Sequence, residues 1–308
     1  MMFYIVRRVL FGLLTLWVVM TITFFLMHAI PGGPFDMDSM DVQSPSYRRI
    51  MEERFGLNKS IFEQYLMYLG NLARGELGLS ISYYPRTVNQ IIAQGFPVSA
   101  RLGGIAILLS IVAGIVWGVV AGLRQGRWQD NLMKVLTALG ITIPGFVLAT
   151  LLIYSFAVEL RWLPPMGLRS WKHYILPAVA LSFGPVAYLA RLTRSSLLDV
   201  IRQDYMKTAR AKGLSRRKVI YKHALKNSML PIVTYIAPLI AGLMTGSFVI
   251  EKVFAIPGMG REMVLAIGNR DYMMILGLTF FFSALIVFTY IITDVLYAFL
   301  DPRIKLGK

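Results

Sequence analysis

The chain has 308 residues, 56% of them hydrophobic and only 16% charged, with a mean hydropathy of +0.60. A soluble domain carries roughly a quarter of its residues as Asp, Glu, Lys or Arg, so this composition excludes an ordinary soluble fold. Cysteine is absent, which excludes disulfides, thiolate metal sites and cysteine nucleophiles, and His28, His173 and His223 are too scattered to pair as metal ligands.

The net charge of +16 sits mainly in short segments beside apolar blocks, where it sets orientation and meets membrane lipid rather than nucleic acid. The first block, Val9 to Ile30, follows Arg7 and Arg8 and is too long for the apolar core of a signal peptide. Residues 1–30 therefore read as a retained transmembrane helix with its N-terminus in the cytoplasm. The cluster Pro31-Gly32-Gly33-Pro34 stops it.

Residues 31–98 read as an extracytoplasmic loop or cap. Asp36, Asp38 and Asp41 precede a helical stretch from Tyr47 to Phe55, and a second stretch repeats Phe62, Tyr65, Leu66 and Leu69 at helical spacing. Asn58-Lys59-Ser60 fits a glycosylation acceptor, a pattern too short to carry weight.

Five further spans follow at Ala100 to Leu123, Leu132 to Val158, Tyr174 to Ala190, Ser228 to Ile250 and Tyr272 to Phe299. Except for the shorter Tyr174 to Ala190 segment, each spans about 30 Å of hydrocarbon at about 1.5 Å per residue. The predicted architecture is an all-α integral membrane protein of six transmembrane helices, with 99–300 as its core and 301–308 as a cytoplasmic tail. Lys and Arg crowd the short loops on one side, which places both termini in the cytoplasm.

In the second span Gly114, Gly118 and Gly122 recur every four residues, a flat face for close helix packing. Packing within the chain is the favoured reading, a homodimer contact the other. Pro144, Pro185, Pro231 and Pro238 interrupt later spans and are candidate gating kinks, since each removes a backbone donor that lipid cannot replace. Bends without a gating role are the alternative.

The span centres hold no Asp, Glu, Lys or Arg; Lys134, Glu159, Arg191 and Asp294 lie near the ends. Proton-coupled carriers keep an ionisable relay near mid-membrane, so such a carrier is disfavoured, while sodium coupling through carbonyls stays open. A nucleotide-binding Walker loop and a zinc-protease helix are also missing. Uphill transport would need energy from another subunit.

The segment 191–227 carries eleven Lys and Arg against Asp199 and Asp204. Leu197, Leu198, Ile201 and Tyr205 mark one helical face that continues through Ala209 and Ala211 to a turn at Gly213. Ser215 can cap a second helix bearing Val219, Ile220, Ala224 and Leu225. The pair reads as a cytoplasmic knob, or alternatively as an amphipathic pair on anionic lipid.

Asp204-Tyr205-Met206-Lys207-Thr208-Ala209-Arg210-Ala211-Lys212-Gly213-Leu214, with His223-Ala224-Leu225-Lys226-Asn227 and Pro231 after it, resembles the cytoplasmic loop of binding-protein-dependent ABC importer permeases. The oligopeptide and dipeptide branch is the most similar. Supporting motifs run along the chain: Ala29 to Phe35, Gly95 to Ser99, Arg191 to Ser195, Gly246 to Glu251, Ile256 to Gly260, and Asp301-Pro302-Arg303. Aligned on Gly213, the wider superfamily's glutamate falls at Lys207, its first alanine at Thr208 and its later proline at Lys226, a variant that the peptide branch shares.

The resemblance implies a MetI-like ABC permease core of five helices with an extra N-terminal span. It implies a second permease resembling OppC or DppC, two ABC ATPase subunits that bind ATP and magnesium, an extracytoplasmic peptide-binding protein and a peptide substrate. No cofactor and no catalysis are implied for this chain. Lys207, Thr208, Ala209, Arg210, Ala211, Lys212, Gly213, Leu214 and Ser215 would couple it to the ATPases. The other readings are a stand-alone channel or secondary carrier for a small cationic or peptide solute, a membrane scaffold, or an importer of nickel, glutathione or sugar with a similar permease.

Overall fold

A computed structural model describes residues 2–32 and 45–300. The acids Asp36, Asp38 and Asp41, the prolyl position Pro34 and the tail with Asp301-Pro302-Arg303 lie outside the described residues. The helices are α1 (Met2–Ala29), α2 (Pro45–Phe55), α3 (Ile61–Ala73), α4 (Val88–Leu123), α5 (Trp128–Thr142), α6 (Gly145–Leu152) and α7 (Ile175–Ile201). There follow α8 (Asp204–Ala211), α9 (216–228, π-helical over Val219–Leu225), α10 (Leu230–Met244), α11 (Phe248–Val253), α12 (Met259–Gly268) and α13 (Tyr272–Leu300). An isolated antiparallel bridge joins Leu79 and Thr87 among the described residues.

Among the described residues, five helical runs have the length and apolarity to cross a membrane: Val6–Ala29, Val88–Leu123, Trp171–Ile201, Leu230–Val253 and Tyr272–Asp294. The remaining apolar segment is a pair, Trp128–Thr142 and Gly145–Glu159, bent by 107°. The order is the one expected, with two differences. The second span begins at Val88 and runs through Pro97, because the donor that Pro97 lacks is one hydrogen bond among a long run. The third is broken, where a kink was expected, because Ile143 adopts extended backbone in front of Pro144.

The chain divides into two compact units, Met1–Val98 with Pro257–Lys308, and Ser99–Ile256. In the first, α1, α3 and α13 share a core of Met20, Phe24, Met27, Tyr65, Tyr68, Tyr272 and Leu276. The Tyr65 hydroxyl lies 2.7 Å from Thr21 Oγ1, and Arg8 pairs with Asp294 at 2.9 Å between α1 and α13. Ser60 caps α3 reciprocally: its Oγ accepts from Glu63 N at 3.3 Å while its own N–H donates to Glu63 Oε2 at 3.0 Å. The Ser60 hydroxyl also donates to Glu63 Oε2 at 2.9 Å, and this bond, with the backbone one, favours the ionised carboxylate and holds Glu63 below its ordinary pKa. The expected apolar face of α3 is partly corrected. Tyr65 and Tyr68 are buried, whereas Phe62 and Leu66 are exposed, since α3 turns only one edge to α1.

Asp271 organises the rest of this unit. It is fully buried, accepts from Ser80 Oγ and from Ser82 N at 3.0 Å, and caps α13 by accepting from Met274 N at 3.1 Å. One carboxylate thus ties the 77–87 loop to the start of a span, its charge offset by backbone donors and a helix N-terminus. Gly277 lets α13 approach this layer, for a Cβ there would lie 2.5 Å from Val88 Cγ1. Burial and a hydrogen bond to Glu262 push the Tyr83 phenol up to about 12.

In the second unit the glycine face of α4 meets α7. A Cβ at Gly114 would lie 2.6 Å from Leu189 Cβ, and one at Gly118 would lie 2.5 Å from Thr193 Cβ and 2.6 Å from the Ala190 carbonyl oxygen. Packing within the chain consumes the small-residue stripe. Gly140 does the same for α5, where a Cβ would lie 2.6 Å from Ala187 Cβ. The core between α4, α7 and α10 is Ala106, Leu189, Ile232, Leu239 and Leu243.

Candidate coupling site

The single helical face expected from Leu197 to Ala211 is divided: Leu197, Leu198 and Ile201 finish α7, Gln203 turns extended, and Tyr205 stands in the separate α8. α8 and α9 thus fold on a small core of their own. Leu197 ends its buried path down α7, and Met206, Ala209, Val219 and Ala224 close over it, all buried. Each larger side chain here contributes about 1.5 to 3 kcal/mol by leaving water, enough to hold a short helix that would not form alone. Side-chain bonds fasten the base: Ser196 Oγ donates to the Ser228 carbonyl at 2.9 Å, and Asn227 Nδ2 donates to the Tyr205 hydroxyl at 3.0 Å.

α8 is amphipathic across one turn. Met206 and Ala209 face the core, while Lys207, Thr208, Arg210, Ala211, Lys212, Gly213 and Ser215 are exposed and Leu214 is half-buried. Ala209, the one position that matches the wider superfamily's motif, is therefore a packing residue. Lys207 pairs with Asp204, one turn back at 2.9 Å, and both are exposed.

Gly213 ends α8 at φ +75°, donating its N–H to the Arg210 carbonyl at 3.0 Å. A Cβ there would meet nothing within 4 Å, so backbone conformation alone selects glycine. Ser215 then starts α9, its carbonyl accepting from Val219 N at 3.0 Å. The second helix expected after Ser215 is present, widened to a π-helix over the residues that carry its apolar face.

Behind the loop is an ion pair that sequence reading missed. Asp130, in the first turn of α5, is fully buried and accepts from both Arg194 Nε and Arg194 Nη2, the latter at 2.9 Å. Its second oxygen also takes Gly126 N at 2.9 Å and lies 3.3 Å from Lys134 Nζ. Arg194 stood in the motif from Arg191 to Ser195, but nothing marked a partner 64 positions away.

The four prolines do not act alike. Pro185 lines a cavity of ≈ 330 Å³ together with Ile143 and Gly145, the residues on either side of Pro144, and with Gly140, Phe183 and Ser247. Pro185 lies inside the continuous α7, where the Leu181 carbonyl loses its usual donor. Pro238 is inside α10 and exposed. Pro231 is not an interior kink as expected. It occupies the first turn of α10, where a missing N–H costs nothing.

Glu251 also departs from expectation. It lies one residue beyond the expected span Ser228 to Ile250, yet it is fully buried at the end of the Leu230–Val253 run. Gly246, at φ +83°, makes room for it, since a Cβ there would lie 2.6 Å from Glu251 Oε1 and 3.1 Å from Ser99 Oγ. The Gly246 to Glu251 motif is thus a packing unit.

A set of apolar spans, one of them broken, with a basic two-helix knob packed on its own core describes a multi-pass membrane transport permease. The chain belongs to the family of binding-protein-dependent transport system inner membrane components, on its oligopeptide and dipeptide permease branch. The family model matches residues 114–306, and the companion model for the N-terminal part of such membrane components matches residues 1–103. The dipeptide transport system permease protein DppB of Bacillus subtilis is 44% identical over 305 residues, covering 99% of this chain and 98% of its own. The oligopeptide transport system permease protein OppB of Salmonella typhimurium is 42% identical over 308 residues, covering 99% of this chain and all of its own, 100%.

Among solved structures, the inward-facing MetNI methionine ABC transporter superposes with a TM-score of 0.56 at 18% identity. It covers 69% of this chain and 97% of its own. This likeness concerns the fold, a MetI-like core to which the present chain adds an N-terminal span matched by the second family model.

Proposed function

We propose that this chain is one of two permease halves of an ATP-driven importer of dipeptides or oligopeptides, with both termini in the cytoplasm. Near-complete coverage at 42% to 44% identity by peptide permeases carries the reading. The partners would be a second permease of the OppC or DppC kind, two ATPase subunits holding ATP and magnesium, and an extracytoplasmic peptide-binding protein. This chain would do no covalent chemistry and hold no cofactor.

The geometry supports a mechanical role for the knob. The exposed face from Lys207 to Lys212 would seat in an ATPase cleft, and the buried Met206 and Ala209 would pass its displacement to Leu197 on α7. α7 carries Pro185, which lines one cavity with Ile143 and Gly145 at the break, so a push at the knob would reach both. The first unit, with its Asp271-pinned loop, would receive the loaded binding protein on the outer face.

Uptake of labelled peptides by a strain lacking its own peptide permeases tests this directly. Co-expression of the whole set of subunits should restore ATP-dependent uptake of a dipeptide or a short oligopeptide, and omission of this chain should abolish it. Uptake by this chain without ATPases would favour the channel or carrier reading. Uptake of nickel or glutathione but no peptide would move the substrate assignment.

A further inference from the structure

Beside the knob lies a cleft of ≈ 630 Å³ with two kinds of wall. One wall is apolar, formed by Leu123, Leu198 and Ile201, and two of these are the last residues of membrane-length helical runs, Val88–Leu123 and Trp171–Ile201. The other is cationic. Arg124 and Arg127 enter it from the loop after α4, and Arg210 enters it from α8; all three are exposed. Among the described residues that line the cleft, none is acidic. The nearby Asp130 is committed to Arg194, Lys134 and Gly126 N.

We propose that this cleft is a binding site for an anionic phospholipid. The phosphate would sit among Arg124, Arg127 and Arg210, and the glycerol and first acyl carbons would lie along Leu123, Leu198 and Ile201. Three observations select a lipid over a soluble anion or an acidic protein segment. The cationic wall begins one residue after Leu123, where an apolar span ends, which is headgroup depth. Trp128, 69% exposed next to Arg127, presents the amphipathic ring that favours this depth. The apolar wall gives an acyl chain a surface that a free phosphate would leave unfilled. Guanidinium forks match phosphate oxygens in pairs, as lysine heads do not.

A consequence follows for coupling. Arg210 stands on the knob, whereas Arg124 and Arg127 stand on the loop after α4, so one bound phosphate would brace the knob against the end of a span. That brace rests on the coupling role proposed above, but the lipid site itself does not. The two are separable by experiment.

Native mass spectrometry of the full chain in detergent, titrated with equal amounts of phosphatidylglycerol and phosphatidylcholine, reads binding without any partner subunit. The expected result is retention of phosphatidylglycerol by about tenfold or more over phosphatidylcholine, since each basic residue near a headgroup adds roughly a factor of five. The triple variant Arg124→Gln, Arg127→Gln, Arg210→Gln should lose that preference, and a triple Lys variant, which keeps the charge, should retain part of it. Equal retention of the two lipids by the unsubstituted chain would overturn the site, as would an unchanged preference in the Gln variant. Displacement of the lipid by millimolar inorganic phosphate would also overturn it and make the cleft a free-anion site. In proteoliposomes of the whole transporter, phosphatidylglycerol should raise substrate-stimulated ATP hydrolysis for the unsubstituted protein and not for the double variant Arg124→Gln, Arg127→Gln, which leaves the coupling residue Arg210 in place. Lipid preference without that difference would sink the brace and leave the site standing.

Discussion

At Gly213 the residue type is chosen by one torsion angle. The turn has φ +75° with open space around it, so any side chain fits sterically and only the left-handed backbone objects. Gly213→Val should therefore cost about 1 to 2 kcal/mol locally while Gly213→Asn, which tolerates that region, costs less. Both variants should insert and fold. The valine variant should lose peptide-stimulated ATP hydrolysis in the assembled transporter and the asparagine variant should keep most of it; full stimulation with valine would remove the turn from the coupling mechanism. Asp130 shows the opposite situation, a charge chosen by its partners. Removing it leaves Arg194 mostly buried beside a hole, a loss of about 3 to 5 kcal/mol for a broken buried pair. Asp130→Ala should lower the thermal midpoint of the purified chain by several degrees. The double variant Asp130→Leu, Arg194→Met should recover most of it, because an apolar pair needs no desolvation to be offset. A double variant no better than the single would mean that the arginine has a role beyond the pair.

The helices are held by close approach more than by polarity, and that part could be read in advance. Gly114, Gly118 and Gly122 announce a flat face by their spacing, and α7 occupies it. Gly118→Leu should thus strip the protein from the membrane fraction or leave it protease-sensitive, since an added side chain would meet the Ala190 backbone at 2.6 Å and nothing there can rotate away. Gly104→Leu, on the same helix with no neighbour within 4 Å, is the matched control and should accumulate normally. Equal yields would contradict the packing described. Periodicity served less well where a helix turns only an edge inward: Phe62 and Leu66 fit the apolar repeat of α3 and yet are exposed. Proline marked the break at Pro144 but not its 107° angle, because a proline removes a donor and turns the residue before it extended without fixing the direction in which the next helix leaves. The Asp130 to Arg194 pair and the Asp271 clamp were unreadable for a plainer reason. They join residues 64 and 191 positions apart, and no local pattern records a partner at that distance.

For the molecule as a whole, the broken α5–α6 pair decides which side the knob faces. α1 and α4 each have the length and apolarity to cross, so a cytoplasmic N-terminus returns the chain to the cytoplasm at Gln125. If the bent pair crosses, Ser170 is outside, α7 crosses back, and the knob faces the ATPases. If the pair dips in and returns, Ser170 stays inside and α7 carries the knob to the outer face, where no ATP-driven partner could meet it. Local charge does not settle this, since Arg161, Arg169 and Lys172 stand before α7 as Arg124 and Arg127 stand before α5. The basic knob argues for a crossing, because the positive-inside rule puts eleven Lys and Arg between 191 and 227 on the cytoplasmic side, and cysteine labelling decides it. The chain has no cysteine, so single cysteines at the exposed positions Gln125, Ser170 and Lys212 report without background. An impermeant maleimide applied to intact cells should label Ser170→Cys alone, with Gln125→Cys and Lys212→Cys reacting only after the membrane is opened. Labelling of Lys212→Cys from outside, with Ser170→Cys protected, would make the pair re-entrant and end the coupling reading.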